Sequence, residues 1–90
     1  MNDFYRIISV YRHFEQYNKY TYGQIANHIL PSYNLGQYQL HRDKGEIIGY
    51  TNWALLNDIV EHRFMKTGQL KPNEWNCGNN IWHIETVAKS

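Results

Sequence analysis

The sequence predicts an α+β domain. Two N-terminal helices precede a mainly antiparallel three-stranded sheet, and a third helix lies between the second and third strands. Three observations carry this. Apolar residues recur every three or four positions over residues 3–17 and 54–66, the period of a helix with one buried face. They alternate with polar residues over residues 37–53 and 81–88, the period of a strand. Asp43-Lys44-Gly45 breaks the first alternating stretch with turn chemistry, folding it into a hairpin.

In the first helix Phe4, Ile7, Ile8, Tyr11 and Phe14 form the stripe, widened by Val10 and Tyr17, and Asn2 or Asp3 can cap its start. Thr21-Tyr22-Gly23-Gln24 fits a capping box: the threonine hydroxyl accepts an amide of the first turn and Gln24 reaches back. The second helix is expected to end at Leu30, because Pro31 disfavours helical angles in the residue before it. In the hairpin, Gly49 suggests a bulge or a close backbone approach. Leu55, Leu56, Ile59, Val60 and Phe64 make the apolar face of the third helix, which Gly68 can close. Residues 71–80 read as a polar connector rich in turn signals. Strict alternation in the last strand puts Ile81, His83, Glu85 and Val87 on one side and Trp82, Ile84, Thr86 and Ala88 on the other. Apolar residues on both sides suggest a central strand.

Ninety residues make one domain. Hydrophobic residues are 42%, charged residues 19%, and the net charge is +1, a globular rather than a disordered balance. No apolar run is long enough for a membrane span. The first residues lack the pattern of a signal peptide, so the cytoplasm is the expected location. The single cysteine, Cys77, excludes an internal disulfide and a zinc site of two or more thiolates, and the five histidines show no HxH or HxxxH pair. We therefore expect no metal. Charge is spread evenly along the chain, without the basic patch that nucleic-acid binding needs. Aromatic residues reach 16%, with seven of the eight tyrosines within the first 38 residues. Large rings serve either a small core or an interface, and both readings stay open.

Few residues carry candidate chemistry. His83 and Glu85 fall two apart on one strand face, where a carboxylate can orient an imidazole as a general base. A pair on the solvated side of a sheet would look the same. His13 lies one helical turn before Tyr17. His28, His41 and His62 have no evident carboxylate partner beyond Glu61 or Asp58 and read as surface residues. Cys77, between Asn76 and Gly78, has no neighbour that would make it a thiolate.

The stretch from Leu30 to Ala88 resembles the RTX toxin-activating lysine acyltransferases. The resemblance rests on Leu30-Pro31, Leu35-Gly36-Gln37-Tyr38, Leu40 and Arg42-Asp43, then Gly49-Tyr50 and Trp53-Ala54-Leu55-Leu56. Asp58, Val60-Glu61, Arg63, Leu70, Pro72, Glu74-Trp75-Asn76, Gly78, Trp82 and Ile84 follow in order. It implies a small, partial fold like that of the GNAT acyltransferases, with no bound cofactor, an acyl–acyl carrier protein as donor and a protein lysine as acceptor. It also implies a catalytic histidine–aspartate pair. The aspartate position falls on Glu85; the histidine position, counted back from Pro31, falls on Tyr17, with His13 one turn earlier. Glu85, His83, His13 and Tyr17 are thus the catalytic candidates, and Tyr38, Gly49, Tyr50, Trp53 and Trp82 the binding candidates, with amides near Gly49 proposed for the thioester oxygen. Family members continue well beyond the position of Ser90. A sheet cut there leaves an open edge, so a homodimer or a protein complex is expected. The other functional class is a non-catalytic binding module, an inhibitor or accessory protein of a phage type, on the same scaffold.

Overall fold

A computed structural model describes residues 3–89 of the chain. The elements are α1 (Asp3–Arg12), α2 (Tyr22–Leu35), β1 (Tyr38–Asp43), β2 (Glu46–Leu56), α3 (Asp58–Thr67), a short 3-10 turn over Pro72–Glu74, and β3 (Asn80–Ala88). The three strands form one antiparallel sheet in the order β1-β2-β3. The fold is α+β, with two helices before the sheet and one between β2 and β3.

Several boundaries differ from the periodic expectation, each for a local reason. The first helix stops at Arg12, not at residue 17. Beyond it Phe14, Tyr17 and Tyr20 each donate an amide to the residue three back, and the Arg12 guanidinium closes the segment on the Tyr20 carbonyl at 2.6 Å. Tyr17 stays in the core because these tight turns fold it back over α1, its ring 5.1 Å from that of Tyr11. Asp3 is itself helical, and Asn2 lies outside the described residues. The second helix starts with the expected capping box but runs through Pro31 to Leu35. Its inner stripe of Ile25, Ile29 and Ser32 is buried, and that packing outweighs the amide Pro31 lacks. Ala54-Leu55-Leu56 continues β2 rather than opening α3, since Asn57 caps the helix by accepting the Val60 amide at 2.8 Å. Ile59, expected on the apolar face of α3, is exposed, while Val60 and Phe64 pack inward. Gly68 closes α3 as expected.

The hairpin turns through Lys44 and Gly45, both at positive φ (52° and 83°), the geometry of a tight two-residue loop. Two register shifts shape the sheet. One extra residue, Ile48, stands in β2 between the pairs His41↔Gly49 and Arg42↔Ile47. Another, Ile84, stands in β3 between Asn52↔Glu85 and Trp53↔His83. The second shift corrects the strict alternation. Beyond the bulge the strand changes face, so Trp82, Ile84, Glu85 and Val87 turn toward the helices while His83 and Thr86 turn away. It also explains how β3, which pairs on one side only among the described residues, carries apolar residues at both parities.

All three helices cover one face of the sheet. α1 and α2 enclose a core of Ile7, Ile8, Val10, Tyr11, Ile25, Ile29, Tyr50 and Val87. α3 and the connector enclose a second, smaller cluster around Ala54, Leu56 and Trp75. Arg63 of α3 pairs with Glu74, whose carboxylate also accepts the Lys71 amide at 2.8 Å. The opposite face carries a row of hydrogen-bonded side chains across all three strands: His41 to Thr51 (2.7 Å), Thr51 to Thr86 (2.9 Å) and Thr86 to His83 (2.7 Å). No described helix is long and apolar enough to cross a membrane.

Candidate functional site

Where the two clusters meet, the bulge turns Glu85 into the interior. Three donors converge on its carboxylate. Tyr11 Oη donates to Oε1 at 2.8 Å, Tyr17 Oη donates to Oε2, and His28 Nε2 lies 2.9 Å from Oε1. Tyr11 comes from α1, Tyr17 from the turns after it, and His28 from α2. The rings enclose the acid: those of Tyr17 and His28 are 5.5 Å apart, those of Tyr11 and His28 5.9 Å.

Burial opposes ionisation of Glu85, but the hydrogen bonds from His28, Tyr17 and Tyr11 outweigh it, and its carboxyl lies below the ordinary range. Glu85 is therefore an anion at neutral pH. Burial, reinforced by the facing carboxylate, pushes both phenols well above theirs, so Tyr11 and Tyr17 remain neutral donors. The two partners differ in access: the Glu85 side chain is 19% exposed and that of His28 44%. With Nε2 directed at the carboxylate, His28 Nδ1 has no hydrogen-bond partner among the described residues. A carboxylate that orients an open imidazole is the arrangement of a general base.

The other candidates lie elsewhere. His83, expected beside Glu85, is on the outer face and bonds Thr86 at 2.7 Å. The bulge at Ile84 separates them. His13 is exposed and holds the Ser9 carbonyl at 2.7 Å. Tyr17 does reach Glu85. Tyr50 is fully buried, in hydrogen-bond contact with Ser32 at 2.7 Å, and burial pushes its phenol up to about 12. Tyr38 stacks between Tyr33 and Tyr50 at 5.2 and 5.4 Å. Trp53 sits on the outer face, its carbonyl taking a bond from Gln37 at 3.0 Å. Trp82 ties β3 to α3, donating to Glu61 at 2.7 Å and meeting Phe64 edge-on. Gly49 is sandwiched between strands, and a Cβ there would lie 3.0 Å from the His41 ring and from the Val87 carbonyl. It faces away from Glu85.

His28 and Tyr11 were not singled out by sequence reasoning. A signal existed for His28: it falls one turn after Ile25 and one turn before Ser32, on the edge of the buried stripe. Asn52, opposite Glu85 across the ladder, is buried and donates to Ser32 at 3.0 Å, while its Oδ1 has no partner. The described residues hold no group of three or more metal-binding side chains.

Two hollows flank His28. One of about 400 Å³ is lined by Gln16, Tyr17, Tyr20, Gln24, Ile25 and His28, with amide and phenol groups set among walls that are apolar for the larger part. The other, also about 400 Å³, lies between α2 and the α3 side of the molecule, with Phe64, Leu70, Trp75 and Ile84 among its walls.

Comparison with known proteins gives a consistent picture. Residues 3–89 match the RTX toxin acyltransferase family. The chain is 33% identical over 73 residues to the RTX-II toxin-activating lysine-acyltransferase of Actinobacillus pleuropneumoniae, covering 80% of this chain and 46% of that protein. It is 35% identical over 65 residues to a protein-lysine palmitoyltransferase of Bordetella bronchiseptica, covering 71% of this chain and 35% of that one. An uncharacterized protein of Synechocystis is 34% identical over 77 residues, covering 82% and 52%. The chain thus spans about half the length, or less, of these curated relatives.

Proposed function

The chain belongs to the RTX toxin acyltransferase family, and from that premise we propose that it takes part in acyl transfer to a protein lysine through His28 and Glu85. The observation that carries the proposal is the convergence of Tyr11, Tyr17 and His28 on one half-buried carboxylate with an open imidazole nitrogen beside it. Glu85 orients, and His28 accepts the proton. This divides the labour differently from a base at Glu85 itself, which is held as an anion by three donors and is a weak base.

The reaction balances simply. A lysine amine, deprotonated from its ordinary pKa of about 10.4, attacks the carbonyl carbon of a thioester. The C–N bond forms and the C–S bond breaks. His28 Nδ1 takes the proton that the nitrogen sheds and returns it to the leaving sulfur. Glu85 stabilises the imidazolium in between, and Tyr11 and Tyr17 keep the carboxylate fixed. The hollow beside Tyr17 and Tyr20, with the amides of Gln16 and Gln24 in its lining, is the proposed entry for the amine. Acyl–acyl carrier protein is the proposed donor, which places the reaction in the cytoplasm. The sheet is read as part of a GNAT-like fold. A second copy is the proposed partner for the outer edge of β3, which pairs with no strand among the described residues.

Intact mass spectrometry of a lysine-bearing acceptor, incubated with the chain and acyl–acyl carrier protein, tests the proposal. An acyl increment is expected, reduced at least about a hundredfold in rate by His28→Ala, in line with the usual worth of a general base. His13→Ala and His83→Ala, both remote from the carboxylate, should keep it. An increment that survives His28→Ala would sink the assignment. No increment from folded protein would favour the non-catalytic binding module instead.

A further inference from the structure

His28 lines two hollows that differ in how much apolar wall they offer. The one toward Tyr17 and Tyr20 mixes phenol and amide groups with the apolar wall of Ile25 and the tyrosine rings. The one on the opposite side has Pro31, Phe64, Leu70, Trp75 and Ile84 in its walls, and His28 is its only ionisable lining residue. From this we infer that the apolar hollow holds the acyl chain of the thioester donor, with its carbonyl end at His28.

The inference rests on the acyl-transfer reading above and assigns a subsite to it. Three features support it. The hollow ends at the dyad: His28 lines it directly, and Ile84 is the neighbour of Glu85. It has the size of a small-molecule site, about 400 Å³, where such sites run from roughly 300 to 1,000 Å³. An uncharged aliphatic chain asks for apolar walls and no counter-ion, and this lining offers more apolar wall than the hollow toward Tyr20.

The walls are also built to stay in place. Phe64 meets Trp82 edge-to-face with centroids 5.4 Å apart, and Trp75 is buried in the second cluster. The Arg63–Glu74 pair braces α3 against the connector that carries Pro72 and Trp75. Toward the far end of α2 the hollow adjoins another of about 520 Å³, the two sharing Asn27, Pro31 and Pro72. Leu30 and Leu35 line that extension. A chain longer than the first hollow therefore has an apolar continuation along the helix.

Binding of acetyl-, octanoyl- and palmitoyl-pantetheine to the full chain, followed by calorimetry, tests the assignment without any turnover. Affinity should rise at least about tenfold from acetyl to palmitoyl, a small share of what full burial of the added methylenes would give. Gln69→Trp, at an exposed position of the lining, should remove most of that gain, and Leu70→Trp should do the same from the wall. Circular dichroism establishes that each variant is folded, and Gln69→Trp does not disturb a buried residue. Affinity independent of chain length, or an equal gain in wild type and both variants, would overturn the inference. So would a dimer that Gln69→Trp dissociates in sedimentation without any palmitoyl binding, which would assign the hollow to a second copy. Chain-length-dependent binding that both tryptophans abolish, alongside no acyl transfer, would instead retain the subsite and remove the catalytic reading.

Discussion

Glu85 holds three hydrogen bonds from a half-buried position, and the consequences are measurable at single atoms. Tyr11 is fully buried and donates to the acid at 2.8 Å. Tyr11→Phe keeps the ring and removes one donor to a charged acceptor, which should cost about 2 kcal/mol in urea denaturation. An unchanged midpoint would mean the bond has no net worth. The acid sets a pH dependence as well. Its folded carboxyl titrates below that of an unfolded glutamate, near 4.3, so the unfolded chain binds the proton more readily. The stability Glu85 supplies is complete above that value and declines as pH falls through the lower, folded one. Urea midpoints followed from pH 6 down to pH 3 should fall less steeply in Glu85→Gln than in wild type; parallel curves would refute the coupling. Glu85 itself was legible in the sequence through the family pattern. His28 was not, because no spacing along the chain links residue 28 to residue 85. Only the fold brings them together.

At the scale of elements, the departures from simple periodicity are the informative parts. Strict alternation pairs Glu85 with His83, and one inserted residue, Ile84, undoes that pairing and turns the acid inward. No residue type in Ile81-Trp82-His83-Ile84-Glu85 announces a bulge, so alternation was the natural reading. Local chemistry with a clear residue signature was legible: the Thr21–Gln24 capping box, the Lys44-Gly45 turn and the Gly68 cap. Long-range packing was not, as α2 running through Pro31 makes plain. Pro31 leaves the Asn27 carbonyl without its helical donor. Pro31→Ala should restore that bond and raise stability by about 1–2 kcal/mol, the helical gain less the unfolded-state entropy the proline removes. A lower midpoint would show that the proline's contacts in the groove matter more. Gly78 makes the opposite case. A Cβ there would lie 2.4 Å from the Asn57 nitrogen and 2.4 Å from the Leu56 carbonyl oxygen, both backbone atoms that cannot swing aside. Gly78→Ala should therefore destabilise by at least about 2 kcal/mol, loosening the junction of β2 and α3. A thermal midpoint within a degree of wild type would contradict this.

For the molecule as a whole, composition and patterning were enough to predict the class, the element order and the antiparallel sheet, since each depends on short-range signals. The distribution of aromatic rings was less legible. Tyr11, Tyr17 and Tyr50 serve the core, whereas Tyr5, Tyr20 and Tyr22 are exposed, so the core accounts for only part of these rings. Three helices over one sheet face leave the other to its row of histidines and threonines. The sheet also joins two connections of very different length: Lys44 and Gly45 alone link β1 to β2, while residues 57–79 intervene between β2 and β3. This asymmetry orders the assembly of the molecule in time. A tight hairpin closes within about 1–10 μs, but β3 must wait for a long loop to close behind it. The strand bearing Glu85 should therefore join after the hairpin has closed, so that the carboxylate meets its tyrosines and histidine late in folding. Glu85→Gln should leave the refolding rate close to that of wild type and put its effect into faster unfolding, which stopped-flow fluorescence resolves. The tryptophans, all in residues 53–82, report that late step directly.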